Sequence, residues 1–321
     1  MTAPLPRPAA NGAIGHAPFG RIEVRNVSQR FGSLTALDDV TVTIEPNRIT
    51  GLLGRNGSGK TTLLSIVAAF RKPDSGAVFI DGEPLFEQPA LTSQIAFIRE
   101  GGDTVDTSEK VSEAFRYAAW LRPNWDAEYA ERLVETFRLP VKQKIDRLSR
   151  GQRSALGIIL GLAARTPIAI FDETYLGLDA PARYAFADAV LADYMAEPRT
   201  FILSTHLIEE MAPLFESVLI LDRGRVLLHR DTEDLLAEGT AITGPAEQVD
   251  AFTAGMRVIG RRALGHTASA MVMASLDAAE RRRAANDGLD LAPIALQDLF
   301  VHLTGGAPVA DPGVVSGEGS L

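Results

Sequence analysis

Gly54-Arg55-Asn56-Gly57-Ser58-Gly59-Lys60-Thr61-Thr62 is the stretch that decides the fold. It fits G-x-x-x-x-G-K-[ST]. It stands after the apolar run Ile49-Thr50-Gly51-Leu52-Leu53 and before the helical run at 63–69. A strand, a glycine-rich turn and a helix in that order make a phosphate-binding loop. Its chemistry comes from backbone: glycines accept positive φ, so successive N–H groups can point at phosphate oxygens. The next helix adds its positive N-terminal end. Lys60 supplies an ammonium for the outer phosphates, and the Thr61 hydroxyl is placed to bind Mg²⁺. The competing reading is a structural glycine turn, and the flanking strand and helix argue against it.

Downstream, Ile168-Ala169-Ile170-Phe171 is fully apolar, as in the middle of a parallel sheet, and runs into Asp172-Glu173. Adjacent carboxylates ending an apolar strand are costly without partners. In a nucleotide site the first helps hold Mg²⁺ and the second orients and polarises an attacking water; the structural alternative is a capping pair. Leu148-Ser149-Arg150-Gly151-Gln152 opens another helix. Ser149 serves there either as N-cap or as a hydroxyl offered, with helix N–H groups, to phosphate; spacing does not decide. His206 follows a strand at 201–205 and is either a polar strand end or a ligand-facing group, since open α/β sheets bind ligands at strand ends near the phosphate loop.

Apolar periodicity predicts further strands at 21–27, 40–44, 78–80, 95–98 and 218–221. It predicts helices over 108–138 with a break at Pro123, over 149–165 and over 182–195. Strands alternating with helices give an α/β core with a parallel sheet. After Gly239 the pattern changes to strand 241–243, helix 246–254, strands 257–259 and 268–274, helix 276–286, strand 289–295 and helix 296–304. That is a small α+β appendage of ferredoxin-like type. Residues 1–20, with four prolines, and 306–321 read as disordered ends.

Composition narrows the classes. With 46% hydrophobic residues the 321-residue chain can build a substantial core. A net charge of −9 argues against sequence-independent nucleic-acid binding. There is no cysteine, hence no disulfide or thiolate metal site. The longest charge-free apolar stretch worth testing as a membrane span, 154–164, is half of what a span needs, and residues 1–20 lack a signal-peptide core, so the chain reads as soluble.

The order phosphate loop, Leu-Ser-x-Gly-Gln, apolar strand with Asp-Glu, Leu-Asp, then Ser-Thr-His resembles the ATP-binding cassette (ABC) ATPase family over residues 22–236. The resemblance implies a phosphate-loop NTPase domain (21–238) with an antiparallel β subdomain and a helical subdomain at about 100–165, followed by the accessory domain (239–305). It implies Phe31 stacking on adenine and 54–62 gripping the phosphates, with Arg55, Asn56, Gly57, Ser58 and Thr62 among the nucleotide contacts. Ser149, Gly151 and Gln152 are implied to reach ATP held by an opposite subunit, and Asp179 to lie in a dimer-contacting loop. Thr61 and Asp172 match the Mg²⁺ residues, Glu173 the catalytic base and His206 the switch histidine that senses the γ-phosphate.

Three positions depart from the family pattern. Glu100 stands where a glutamine is usual; it can accept from Mg²⁺-bound water but adds negative charge beside Asp172 and Glu173. Arg150 replaces the commoner glycine, and Thr174 the usual proline. The function implied is an ATP-hydrolysing subunit of an exporter-like transporter: cofactors ATP and Mg²⁺, a second ATPase subunit, a separate membrane permease, and a place on the cytoplasmic face of the membrane. The alternatives are a non-transport ABC ATPase acting on nucleic acid or ribosomes, and a degenerate regulatory module.

Overall fold

A computed structural model describes residues 19–99 and 107–305. Residues 306–321 and all of 1–20 except Phe19 and Gly20 lie outside these residues, as does Glu100. In chain order, β1 (Ile22–Phe31) and β2 (Leu34–Ile44) form an antiparallel hairpin. Then come β3 (Ile49–Leu53), α1 (Lys60–Val67), β4 (Ser75–Ile80), β5 (Glu83–Pro84), the short α2 (Pro89–Thr92) and β6 (Ile95–Arg99). α3 (Val111–Leu121), α4 (Ala127–Phe137) and α5 (Arg150–Ala163) form the helical part. β7 (Ile168–Asp172), α6 (Ala180–Ala196), β8 (Thr200–Thr205), α7 (Ile208–Met211), β9 (Ser217–Asp222), β10 (Arg225–Asp231) and α8 (Thr232–Ala237) complete the ATPase-like portion.

The central sheet runs β10-β9-β3-β8-β7-β6, parallel except for β10. Its side chains alternate between two cores. Leu52, Ile170, Ile202 and Leu219 face α1 and the β2-β1-β4-β5 sheet. Leu53, Phe171, Leu203 and Ile220 face α5, α6 and the helical part. Asp81 and Gly82, both at positive φ (51° and 84°), make the tight turn between β4 and β5.

β1 and β2 extend well beyond the predicted 21–27 and 40–44, because residues 28–35 are mostly polar and pass through register shifts that blur the alternation. β10 and α8 are not predicted at all. β10 is an edge strand with no fully buried residue, so it carries little apolar signal.

A third sheet, ordered β12-β13-β11-β14, follows. It is built from β11 (Thr240–Pro245), α9 (Ala246–Thr253), β12 (Val258–Leu264), β13 (Thr267–Val272), α10 (Ala278–Asn286) and β14 (Asp290–Pro293), then α11 (Leu296–Leu303). All its neighbours are antiparallel, which is the strand order of a ferredoxin-like β-α-β-β-α-β unit. One face closes its own small core around Ile242, Val249, Phe252 and Val272. Met271 from the other face, with Ile294, Leu296 and Leu299, joins the larger core beside Ile208 and Met211 of α7.

A buried charge network ties the helical part to the sheet. The fully buried Asp193 carboxylate on α6 takes Arg165 on one oxygen and Arg199 on the other. Arg199 also donates to the carbonyls of Thr166 and Leu162, at the end of α5. Arg165 pairs with Asp126, whose carboxylate caps α4 through Tyr129 N–H. Tyr129 lies under the Arg165 guanidinium, and burial pushes its hydroxyl up to about 12.

Candidate functional site

The loop after β3 folds as its glycines require. Gly59 has φ 105°, and a Cβ there would stand 2.5 Å from the Ala36 carbonyl oxygen, so only glycine fits. Gly59 is also the N-cap of α1, so the first N–H groups of that helix open onto the loop. Lys60 is buried; its Nζ donates to the Gly54 carbonyl at 2.8 Å and to the Arg55 carbonyl at 3.4 Å. The same Nζ lies 3.3 Å from Glu173 Oε1, while His206 Nδ1 lies 3.4 Å from Glu173 Oε2. The ends of three adjacent strands, β3, β7 and β8, therefore converge on one carboxylate. Glu173 holds φ 51°, an unfavourable conformation for a residue with a side chain, and its N–H donates to the Ser204 carbonyl at 3.2 Å.

Asp172 closes β7 and is buried. Burial pushes its carboxyl above the usual carboxylate range. The Thr61 and Ser204 hydroxyls and the Lys60 ammonium pull the other way, and the Glu173 charge adds to the rise. Its Oδ1 is buried with no hydrogen-bond partner, so neither hydroxyl satisfies that oxygen. An orphaned acid oxygen beside the Thr61 hydroxyl fits a divalent cation, which takes oxygen ligands. Among the described residues no three His, Asp or Glu side chains form a protein cage for a metal; Mg²⁺ needs none, taking one or two carboxylates along with phosphate and water.

A cavity of about 440 Å³ opens over this cluster, lined by the loop from Asn56 to Thr62, Glu173 and Phe31. Phe31 ends β1 with its ring 41% exposed. Leu34 and Ala36 also line the cavity, and sequence reasoning missed both. The available signal was Leu34, an apolar residue just past the Gly32-Ser33 turn and opposite Phe31 in register.

Ser149, Gly151, Gln152 and Asp179 do not line this cavity. Ser149 and Gln152 form a capping box at the start of α5, each accepting from the other's backbone N–H. Asp179 caps α6 through Ala182 N–H at 3.0 Å. The two segments abut: a Cβ on Gly151 would sit 2.7 Å from the Gly177 carbonyl oxygen, and one on Gly177 would sit 2.9 Å from that of Arg150. The structure thus brings Phe31, the phosphate loop, Asp172, Glu173 and His206 together, and groups the α5 start with the 176–179 loop at a separate place. The Thr174 side chain, where the family pattern has proline, is buried with its hydroxyl unpartnered.

Comparison with known proteins fits this geometry. The family model described as ABC transporter matches residues 37–175. The ABC transporter ATP-binding protein YtrB of Bacillus subtilis (strain 168) is 31% identical over 220 residues, covering 68% of this chain and 74% of that protein. The Fe(3+) ions import ATP-binding protein FbpC of Escherichia coli (strain K12) is 28% identical over 218 residues; the match covers 67% of this chain and 63% of that protein, under two thirds of its length. A solved structure of an ATP binding subunit of an ABC transporter superposes with a TM-score of 0.60 at 27% identity, covering 67% of this chain and 91% of that one. With Lys60 of the phosphate loop and His206 both meeting Glu173, which lines the cavity, and with these relatives, the chain belongs to the family of ABC transporter ATP-binding subunits, the ATPases of those transporters.

Proposed function

We propose that this chain hydrolyses ATP at the Lys60–Glu173–His206 cluster and does so as a dimer that drives a separate membrane-spanning subunit from its cytoplasmic side. The observation that carries the reading is Glu173 itself: a carboxylate held within 3.4 Å of a lysine and a histidine at the mouth of a phosphate loop. In this role Glu173 accepts a proton from water as the water oxygen bonds to the γ-phosphorus and the bond to the ADP oxygen breaks. Lys60 and the loop N–H groups hold the β- and γ-phosphates. His206 adjoins the same carboxylate and so reports whether a γ-phosphate has entered. Thr61 and Asp172 would hold Mg²⁺, with Glu100 placed by its sequence position to accept from its water; bound there, the ion neutralises charge on the phosphate oxygens.

The remaining residues serve a partner. Ser149, Gly151 and Gln152 lie away from the chain's own cavity but present a helix N-terminus, so we assign them to ATP held by a second ATPase subunit, identical or related. Asp179 lies in the adjoining dimer-contacting loop. Residues 239–305 form the accessory domain, and no nucleic-acid partner is expected.

For the membrane partner, the groove between β6, the end of α1 and α3 is the best seat. It encloses about 880 Å³ and is lined by Phe70, Phe97, Tyr117 and Leu121, with Phe70 and Leu121 among the most exposed apolar side chains. Arg99, the last residue of β6, lines it and pairs in register with Asp172, so the groove adjoins the site. No described helix is long and apolar enough to cross a membrane, and the proposed partner is a membrane-spanning subunit. Leu121→Asp should cut recovery of a co-purifying membrane-spanning subunit by about tenfold or more while the isolated chain keeps its ATPase rate. Affinity purification from membranes tests both this and the assignment itself: capture of salt-sensitive nucleic acid in place of a spanning subunit would refute it.

Asp172 gives a second check, with a definite sign. Its carboxyl is raised in the folded chain, so its ionisation opposes folding at neutral pH, and that penalty fades as pH falls through the raised value toward the unfolded one. Asp172→Asn should therefore melt higher than the parent at pH 7 without nucleotide, with the gain shrinking on acidification. The same variant should lose about tenfold or more in Mg²⁺-dependent nucleotide affinity. An unchanged Mg²⁺ dependence would remove Asp172 from the metal.

A further inference from the structure

The Arg71 guanidinium lies over the Phe31 ring, 4.8 Å from its centroid. Phe31 lines the nucleotide cavity, but Arg71 does not. A guanidinium that lies over the ring without itself lining the cavity is placed to back the ring rather than to fill the cavity. A guanidinium on one face of an aromatic ring is held by the ring's quadrupole.

Arg71 is itself fixed to the element that grips phosphate. Its N–H and that of Phe70 donate to the Ser65 carbonyl on α1, at 3.1 and 2.8 Å. Three residues on, the Asp74 carboxylate accepts from Arg30 N–H at 2.7 Å, and Asp74 N–H donates to the Ser28 carbonyl at 3.1 Å. The segment from 71 to 74 thus straps the end of β1 to the far end of α1. Phe31 itself stands next to Gly32 at a hairpin tip whose register shifts.

We propose that Arg71 is a positioning residue for the nucleotide base: by bracing the back of Phe31, it sets the ring at a fixed distance from the phosphate loop and raises affinity for a purine nucleotide over a bare polyphosphate. The inference rests on the reading of Phe31 as the base platform. Arg71 touches neither base nor phosphate and acts only through the ring.

The test is calorimetry on the full chain with two probes in Mg²⁺ buffer, a non-hydrolysable ATP analogue and inorganic tripolyphosphate. Arg71→Ala should weaken the analogue by about two- to fivefold, the range of an exposed cation–π contact, and leave tripolyphosphate unchanged. Arg71→Lys, which keeps a cation over the ring, should restore most of the loss. In a Phe31→Ala background Arg71→Ala should have no further effect on either probe. Equal weakening of both probes by Arg71→Ala would show phosphate contact or general damage and overturn the proposal, as would an undiminished effect in the Phe31→Ala background. If Phe31→Ala itself leaves the analogue's affinity unchanged, the base-platform reading falls and the proposal with it. If Phe31→Ala weakens the analogue and Arg71→Ala does not, only the role of Arg71 is refuted.

Discussion

Glu173→Gln should lower the ATP turnover rate by about 10²- to 10⁴-fold, the contribution of a positioned general base. It should at the same time bind nucleotide more tightly. The second effect follows from the Glu173 carboxylate's ion pair with Lys60 at 3.3 Å and its contact with His206 at 3.4 Å. Any incoming triphosphate must take the Lys60 ammonium from a carboxylate that already holds it, and the neutral amide competes less. That competition is worth on the order of 1 kcal/mol, so affinity for a non-hydrolysable analogue should rise about two- to fivefold. The tighter, unhydrolysed complex should accumulate as a dimer in size-exclusion chromatography. Turnover near the parental rate would remove Glu173 from its assigned role. Loss of turnover with weakened binding would mean that its contact with Lys60 organises the loop rather than competing for it.

Asp193→Ala should destabilise the chain by about 3–5 kcal/mol, because it leaves the Arg165 and Arg199 guanidinium groups inside the fold without their shared counter-charge. At about 2–4 °C per kcal/mol for a chain this size, the melting temperature should fall by roughly 6–20 °C. Replacing all three charges with apolar side chains of similar volume (Asp193→Leu, Arg165→Met, Arg199→Met) should recover much of that loss, since isolated buried charge, not lost attraction, carries most of the cost. Failure of the triple variant to recover would assign the stability instead to the carbonyls of Leu162 and Thr166, which Arg199 satisfies. Below its transition the single variant should keep its ATPase activity, since no member of the network lines the nucleotide cavity.

The central sheet was legible because its strands are short, apolar and bounded by motifs: Ile49–Leu53 and the apolar part of Ile168–Asp172 need no context to be recognised. The ferredoxin-like order could be anticipated for the same reason, since its elements alternate cleanly after Gly239. β10 was not legible, because an edge strand of Arg, His and Asp looks like a loop until its neighbour is known. Asp193, Arg165 and Arg199 were equally hidden: in sequence they read as surface charges, and only folding puts them together out of water. At the site, the phosphate loop, Asp172, Glu173 and His206 announced themselves by type and order. Leu34 and Arg71 did not, because their relation to Phe31 depends on a hairpin register and on a strap between two elements far apart in the chain.

The shared packing of Met271, Ile294, Leu296 and Leu299 with Ile208 and Met211 gives the ferredoxin-like unit a standing unlike that of a tethered module. Severing the chain near Gly239 would strip an apolar flank from the short helix two residues beyond His206, so the two halves are expected to melt as one cooperative body. Whatever small force bends the C-terminal unit is thereby delivered, through side chains already in contact, to the backbone that carries the histidine.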